Sequence, residues 1–233
     1  MQNKLHAAVG PTARQEIHHT PARQVVRPTG GIFRGRFPSR KSGRSVAFES
    51  LIERDALLLF EFSRGIASYR EQPYSIWYLF DGKSRRYTPD FELTLISGTP
   101  LVIEIKPEEK TLIPDEARRL RRIHEHLASL GVAFRVLTDT QIRTGSRLSN
   151  LGTLLPYLGK PMSALQRRLA AEPLRENSSP LTVAHASRCL GSTAEVYRLI
   201  AEDVLGADLH QRLSDSTALF IQDRDPSDEE LYF

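Results

Sequence analysis

In "SLIERDALLLFEFSRG" the apolar residues 51, 52, 56, 59 and 60 recur three and four positions apart, the spacing of one helix face. Ser50 stands ahead of this run with Glu53 three residues on, a capping-box signature, and Gly65 closes it. The period then drops to two. "IASYREQP", "YSIWYLF" and "RRYTPDFELTLI" read as strands, with "DG" at 81–82 turning the second into the third as a hairpin. "PLVIEIKP", reached through "SGT", is a fourth strand; "PDEARRLRRIHEHLASLG" is an amphipathic helix closed by Gly131, and "VAFRVLT" returns to β. The predicted order of helix, strands, helix, strand makes this an α/β chain, with a mixed sheet flanked by helices and antiparallel first hairpins.

Past residue 140 the strand signal fades. "LSNLGTLLPYLG" and "SALQRRLAAEPLREN" read as helices, and "SPLTVAHASRCLG" with "STAEVYRLIAEDVLGADL" as a helix pair on a Gly-Ser-Thr turn. "TALFIQ" reads as a terminal strand. This order suits a winged helix-turn-helix and a plain three-helix bundle equally. The expected division is a basic arm and loop over 1–44, a sheet domain over 45–160, and a smaller, mainly helical, winged-helix-like domain with an acidic tail over 161–233.

Of the 233 residues 40% are hydrophobic, enough for a sizeable core, and 26% are charged. There is no apolar run of membrane-spanning length, and "MQNKLHAAVG" lacks the apolar core of a signal peptide, so the expected location is the cytoplasm, with no membrane partner. The single cysteine, Cys189, rules out an intramolecular disulfide framework and reads as a small buried hydrophobe. The net charge of +4 is modest but unevenly spread. Residues 1–50 carry Lys4, Arg14, Arg23, Arg27, Arg34, Arg36, Arg40, Lys41 and Arg44 against Glu16 and Glu49. That arm is either a solvated tail or a phosphate-tracking segment. The stretch "RPTGGIFRGRFPSRKSGR" within it, rich in Gly, Pro and Ser, reads as an extended loop, and "RRLRR" adds Arg118 and Arg122 on a helix.

Candidate chemistry sits in the strands. Alternation in "LVIEIK" sends Leu101, Ile103 and Ile105 to a core face and Val102, Glu104 and Lys106 to a charged one. A bare E-x-K is most simply a solvated strand face. Asp90, following Pro89, changes the picture, because pairing of its strand with the next brings it to Glu104 at one end of the sheet. Two carboxylates held together repel unless a cation lies between them, and hard oxygen ligands suit Mg²⁺ or Mn²⁺. Phosphodiester hydrolysis needs an activated water, neutralised phosphate charge and a stabilised leaving oxygen, which metal ions supply. Lys106 then reads as a compact cation beside water and phosphate.

The pattern "TPDF…IEIK" resembles the signature of the PD-(D/E)xK nucleases, whose fold is restriction-endonuclease-like. "FPSRKSGRSVAFESLIERDALLLFEF", "YREQP", "YTPDF" and "VIEIKP", in this order over roughly 23–140, are similar to the TnsA endonuclease subunit of heteromeric transposases. The resemblance implies a bacterial, Mg²⁺-dependent DNA endonuclease, with Mn²⁺ able to substitute. Its substrate would be double-stranded DNA at transposon ends, where it makes the 5′ cuts. A DDE transposase and an ATP-dependent regulator would be its partners. It further implies catalytic and metal-holding roles for Glu53, Asp90 and Glu104, a catalytic role for Lys106, and near-site positions for Gln72 and Glu49. Glu53 also reads as the cap partner of Ser50. Phosphate contacts fall to Arg34, Arg36, Arg40, Lys41, Arg44, Arg118 and Arg122.

Other motifs are weaker. His124 and His126 diverge at their i,i+2 spacing, His18 and His19 lie in the arm, and no P-loop is present. Trp77, Tyr74, Tyr78 and Phe80 read as strand packing, with base stacking as the second choice. A free-standing nuclease of the same fold and a non-catalytic DNA-binding assembly subunit are the rival readings.

Overall fold

A computed structural model describes residues 21–22, 33–160, 162–175, 180–222 and 231–233. The arm's Lys4, Arg14, His18, His19, Arg23 and Arg27, and the acidic stretch 223–230, lie outside them.

The first elements are β1 (Gly35–Ser39) and β2 (Arg44–Phe48), an antiparallel hairpin where the composition of 27–44 suggested an extended loop. Alternation, not composition, decides it: Phe37, Val46 and Phe48 bury their side chains in the main core. Gly35 is required here, since a Cβ would stand 2.4 Å from the Phe48 ring. The hairpin runs across position 44.

Helix α1 (Leu51–Phe62) follows, capped by Ser50, whose side chain accepts from Glu53 N. Then come β3 (Ile66–Glu71), β4 (Ile76–Phe80), β5 (Lys83–Tyr87), β6 (Phe91–Leu95) and β7 (Pro100–Lys106). "RRYTPDFELTLI" is two strands, not one. Pro89 has no N–H to continue a ladder, so the chain breaks at 88–90; β5 pairs with β4 alone, and β6 enters the central sheet. A short turn α2 (Glu108–Thr111), helix α3 (Pro114–Ser129) and strand β8 (Ala133–Thr138) complete the crossover.

The central sheet is four-stranded, ordered β3-β6-β7-β8; its first two pairings are antiparallel and β7–β8 is parallel. Both faces of β7 are covered, as parallel strands require. On one side Ile103 joins Leu57, Phe60, Phe91 and Leu93 from α1 and β6. On the other, Val102 is buried among Tyr78, Tyr87, Ile123 and Leu127 of the β4–β5 ribbon and α3. The expected "charged face" of β7 is thus an interior face carrying charge, with Glu104 only 4% exposed.

The remainder is mostly helical: α4 (Asp139–Ile142), α5 (Arg147–Leu154), a 3-10 turn (Leu155–Tyr157), α6 (Ala164–Arg175), α7 (Val183–Leu190) and α8 (Thr193–Ala201). The last helix stops sooner than "STAEVYRLIAEDVLGADL" suggested. Asp203 takes a positive φ of 56°, and Leu205–Ala207 becomes strand β9, paired with the predicted terminal strand, β10 (Leu219–Ile221). Cys189 is exposed rather than buried, because it falls off the Val183–Ala186 stripe of α7. No helix among the described residues is long and apolar enough to cross a membrane.

Candidate active site

The β6–β7 register pairs Phe91 with Ile103, and one step further along it Asp90 meets Glu104. Asp90 is fixed at this end of the sheet by two backbone bonds. Its Oδ2 accepts from Ile105 N at 2.7 Å, and its carbonyl accepts from Gln72 N at 2.9 Å. Oδ1 takes no hydrogen bond from a described residue. Glu104 is held from three sides. Oε2 accepts from the Tyr87 hydroxyl at 2.8 Å, and Oε1 lies 3.0 Å from Lys106 Nζ and 3.5 Å from an Arg119 nitrogen. Lys106 also faces Glu116 at 3.6 Å, and Arg119 forks onto Glu116 at 2.9 and 2.7 Å.

The electrostatics follow from this crowding. Burial first, then the negative charges of Glu104 and Glu53, push the Asp90 carboxyl well above its usual range. Burial opposes the charge on Lys106, but Glu104, Asp90 and Glu116 outweigh it and raise its pKa, so the ammonium persists. Burial and Glu104 likewise push the Tyr87 hydroxyl far up, so it remains a donor at every working pH.

Glu53 is the third carboxylate. Its Oε2 accepts from Glu49 N at 2.7 Å and its Oε1 from Ser50 Oγ at 3.1 Å, so it caps α1 as the local sequence suggested. Burial raises its pKa against those hydrogen bonds, with Glu49 and Glu104 adding to the rise. Glu53 therefore sits within electrostatic reach of Asp90 and Glu104 while turned back onto its own helix end. Glu49 lies beside it, 3.9 Å from Arg34.

Gln72 contributes through its backbone. At a positive φ of 40° it donates to Asp90 and accepts from Ala22 N, while its own buried Oε1 has no hydrogen-bond partner among the described residues. A strained backbone with an unsatisfied amide beside a carboxylate is the kind of feature that clusters at functional sites.

The basic candidates are dispersed. Arg40 is bound to Gly159 O and Glu202, Lys41 reaches the Phe60 and Ser63 carbonyls, and Arg44 forks onto Glu71. Arg36 is exposed; Arg118 faces Asp115 and Asp81, and Arg122 faces Glu125. The sequence reading passed over Tyr87, Glu116 and Arg119. Helical period offered the one available signal, since Glu116 and Arg119 flank the buried Leu120–Ile123–Leu127 stripe.

Among the described residues no three His, Cys, Asp or Glu side chains are gathered into a metal-holding group. The donor chemistry nonetheless fits an oxygen-seeking divalent ion. Glu53, Asp90, Glu104 and Glu116 outnumber Lys106 and Arg119, and one Asp90 oxygen takes no hydrogen bond from a described residue. Mg²⁺ is commonly held by one or two carboxylates, with waters and substrate phosphate completing its shell.

No curated protein matches the chain. Residues 63–139 match the family model described as TnsA-like endonuclease N terminal, a span that runs from the end of α1 through β8 and holds Gln72, Asp90, Glu104 and Lys106. Glu53 lies just ahead of it. With its paired strand carboxylates inside the matched span, this part of the chain is similar to a TnsA-like endonuclease N-terminal domain.

Proposed function

We propose that this protein is a metal-dependent DNA endonuclease that makes the 5′ cuts at the ends of a transposable element, working with a DDE transposase and an ATP-dependent regulator. The observation that carries this reading is the opposition of Asp90 and Glu104 across β6–β7, with Lys106 on the same strand, inside a TnsA-like endonuclease domain. The sheet with its flanking helices supports a restriction-endonuclease-like nuclease domain over 45–160. The α7–α8 pair, turned at Gly191 and followed by the β9–β10 ribbon, supports a winged-helix-like accessory domain over 161–233 that contacts DNA or a partner.

Asp90 and Glu104 would hold Mg²⁺ or Mn²⁺, joined by Glu53 once its carboxylate leaves the α1 cap. The bound ion would lower the pKa of a water and neutralise charge on the scissile phosphate. The chain's own residues do the rest. Ile105 N–H and the Gln72 backbone fix Asp90, and the Tyr87 hydroxyl orients Glu104. Lys106 presents a persistent ammonium to the attacking water and the phosphate. Arg119, braced by Glu116, offers a second cation at the same edge.

The test is strand-specific nicking of labelled DNA bearing the cognate ends, in Mg²⁺ or Mn²⁺, with and without the transposase. Wild type is compared with Asp90→Ala and Lys106→Ala. Partner-dependent cuts on one strand, lost in both variants, are expected. Cutting that needs no partner would identify a free-standing nuclease, and wild-type cutting by Asp90→Ala would refute the site.

A further inference from the structure

The β4–β5 ribbon presents a surface that its packing role does not use. Its inner face is committed: Tyr78 and Tyr87 are buried against Val102 and α3, and Tyr87 hydrogen-bonds Glu104. Its outer face, set by the Trp77↔Arg86 and Leu79↔Ser84 pairs, lies open. Trp77 is 64% exposed and Leu79 59%, so the sequence expectation of strand packing for Trp77 does not hold. Lys83, Ser84, Arg85 and Arg86 are also exposed. The ribbon's one acid, Asp81, sits in the turn 3.7 Å from Arg118, which ties the tip to α3. Arg85 and Arg118 both lie over the Phe80 ring, at 5.7 and 5.8 Å.

We propose that this ribbon is a DNA-contact element, which lays Trp77 and Leu79 into a groove of the duplex while Arg86, on the same face, meets a flanking phosphate. The proposal rests on the nuclease reading for the choice of ligand. Charge complementarity selects a polyanion as occupant, because Arg86 shares the face of the apolar pair, Lys83 and Arg85 are exposed on the ribbon's other face, and neither strand of the ribbon carries a carboxylate. Shape agrees, since a two-stranded ribbon fits the major groove, and apolar side chains wedge between base steps from the minor groove. Position agrees too. Tyr87 ties the base of the ribbon to Glu104 from the inner face, and Trp77 and Arg86 are the outer-face pair next to that base, so the contact lies near the carboxylate end of the sheet.

Trp77 is the chain's single tryptophan, which makes the contact directly observable. In the Asp90→Ala protein, titration with a short mixed-sequence duplex should quench Trp77 emission in step with the anisotropy of a labelled duplex. Trp77→Ser should weaken affinity by about tenfold or more, and Trp77→Phe by less. Arg86→Gln should lower the salt slope by about one, the loss of a single phosphate contact. In the otherwise wild-type enzyme Trp77→Ser should raise KM and spare kcat.

Unchanged emission during binding, with wild-type affinity in Trp77→Ser, would overturn the proposal, as would failure of the chain to bind duplex at low salt. So would a change of oligomeric state in Trp77→Ser at unchanged DNA affinity, which would give the face to a second copy. These outcomes are independent of the site, which stands or falls on cleavage by Asp90→Ala.

Discussion

In the proposed site, the residues around Glu104 divide into those that carry charge for the chemistry and those that hold it in place. Tyr87 belongs to the second kind. Its hydroxyl is the sole side-chain donor to Glu104 Oε2 among the described residues, and its raised pKa keeps the proton there. Tyr87→Phe keeps the ring in its pocket and removes only that donor. Cleavage should fall by about ten- to a hundredfold, with more metal needed for half-maximal rate, as follows loss of a hydrogen bond that orients a ligand. A metal titration of the nicking rate, with thermal unfolding as control, checks it. Lys41 is a different case. Burial, opposed by Glu61 and reinforced by Arg40, lowers its pKa to about 7, and its amine donates to the Phe60 and Ser63 carbonyls. The folded pKa lies below the unfolded value, so between about pH 7 and 10.5 the unfolded chain binds the extra proton. Stability should therefore rise with pH through that window, by up to about 1.4 kcal/mol per pH unit for this one proton. Urea unfolding at several pH values should show wild type gaining on Lys41→Met as pH rises; parallel curves would mean that Lys41 stays charged when folded.

At the level of elements, the N-terminus of α1 serves two purposes that substitution can separate. Ser50 accepts from Glu53 N, and Glu53 accepts from Ser50 and from Glu49 N. Ser50→Ala should cost about 1 kcal/mol of stability, the usual loss for a removed N-cap. Glu53→Gln keeps one acceptor oxygen and should cost less, yet it should lower nicking severely if the carboxylate joins Asp90 and Glu104. Denaturant midpoints and nicking rates measured on both variants give the answer; near-normal cutting by Glu53→Gln would leave that residue a cap alone. The same contrast shows what a sequence can disclose. Helix α1 and strands β3, β4, β7 and β8 were legible because their periods of 3.6 and 2 are set by local burial, β5 and β6 only as one unbroken strand, and Asp90 and Glu104 because one hairpin's register brings them together. Tyr87 and Arg119 were not, since their meeting with Glu104 depends on how the ribbon and α3 cover β7. The β1–β2 hairpin was hidden by glycine and proline that also serve strands, as Gly35 does beneath Phe48.

Over the whole molecule, the sheet-bearing part and the C-terminal helices are joined by charge as much as by apolar packing. Phe62 and Leu209 touch both large hydrophobic clusters. Around them, Arg40 in the β1–β2 turn reaches Gly159 O at 2.5 Å and Glu202 at 2.7 Å, and Arg64 reaches Asp203 at 2.7 Å. Glu202 is only 6% exposed, so its charge depends on Arg40 and on the Gly159 N–H. Charge density alone marked Arg40 as a phosphate contact, because nothing in the sequence reveals a partner 162 positions away. Arg40→Met leaves the arginine's apolar stem but strands the buried carboxylate, at a cost of about 1–3 kcal/mol. If the two parts are separate cooperative units, that loss should fall on the helical one. Hydrogen exchange should then quicken across α6, α7 and α8 while β6 and β7 keep their protection. Equal acceleration in both would mean that the chain unfolds as a single unit, with the arginine acting as an internal tie of one domain rather than as a joint between two.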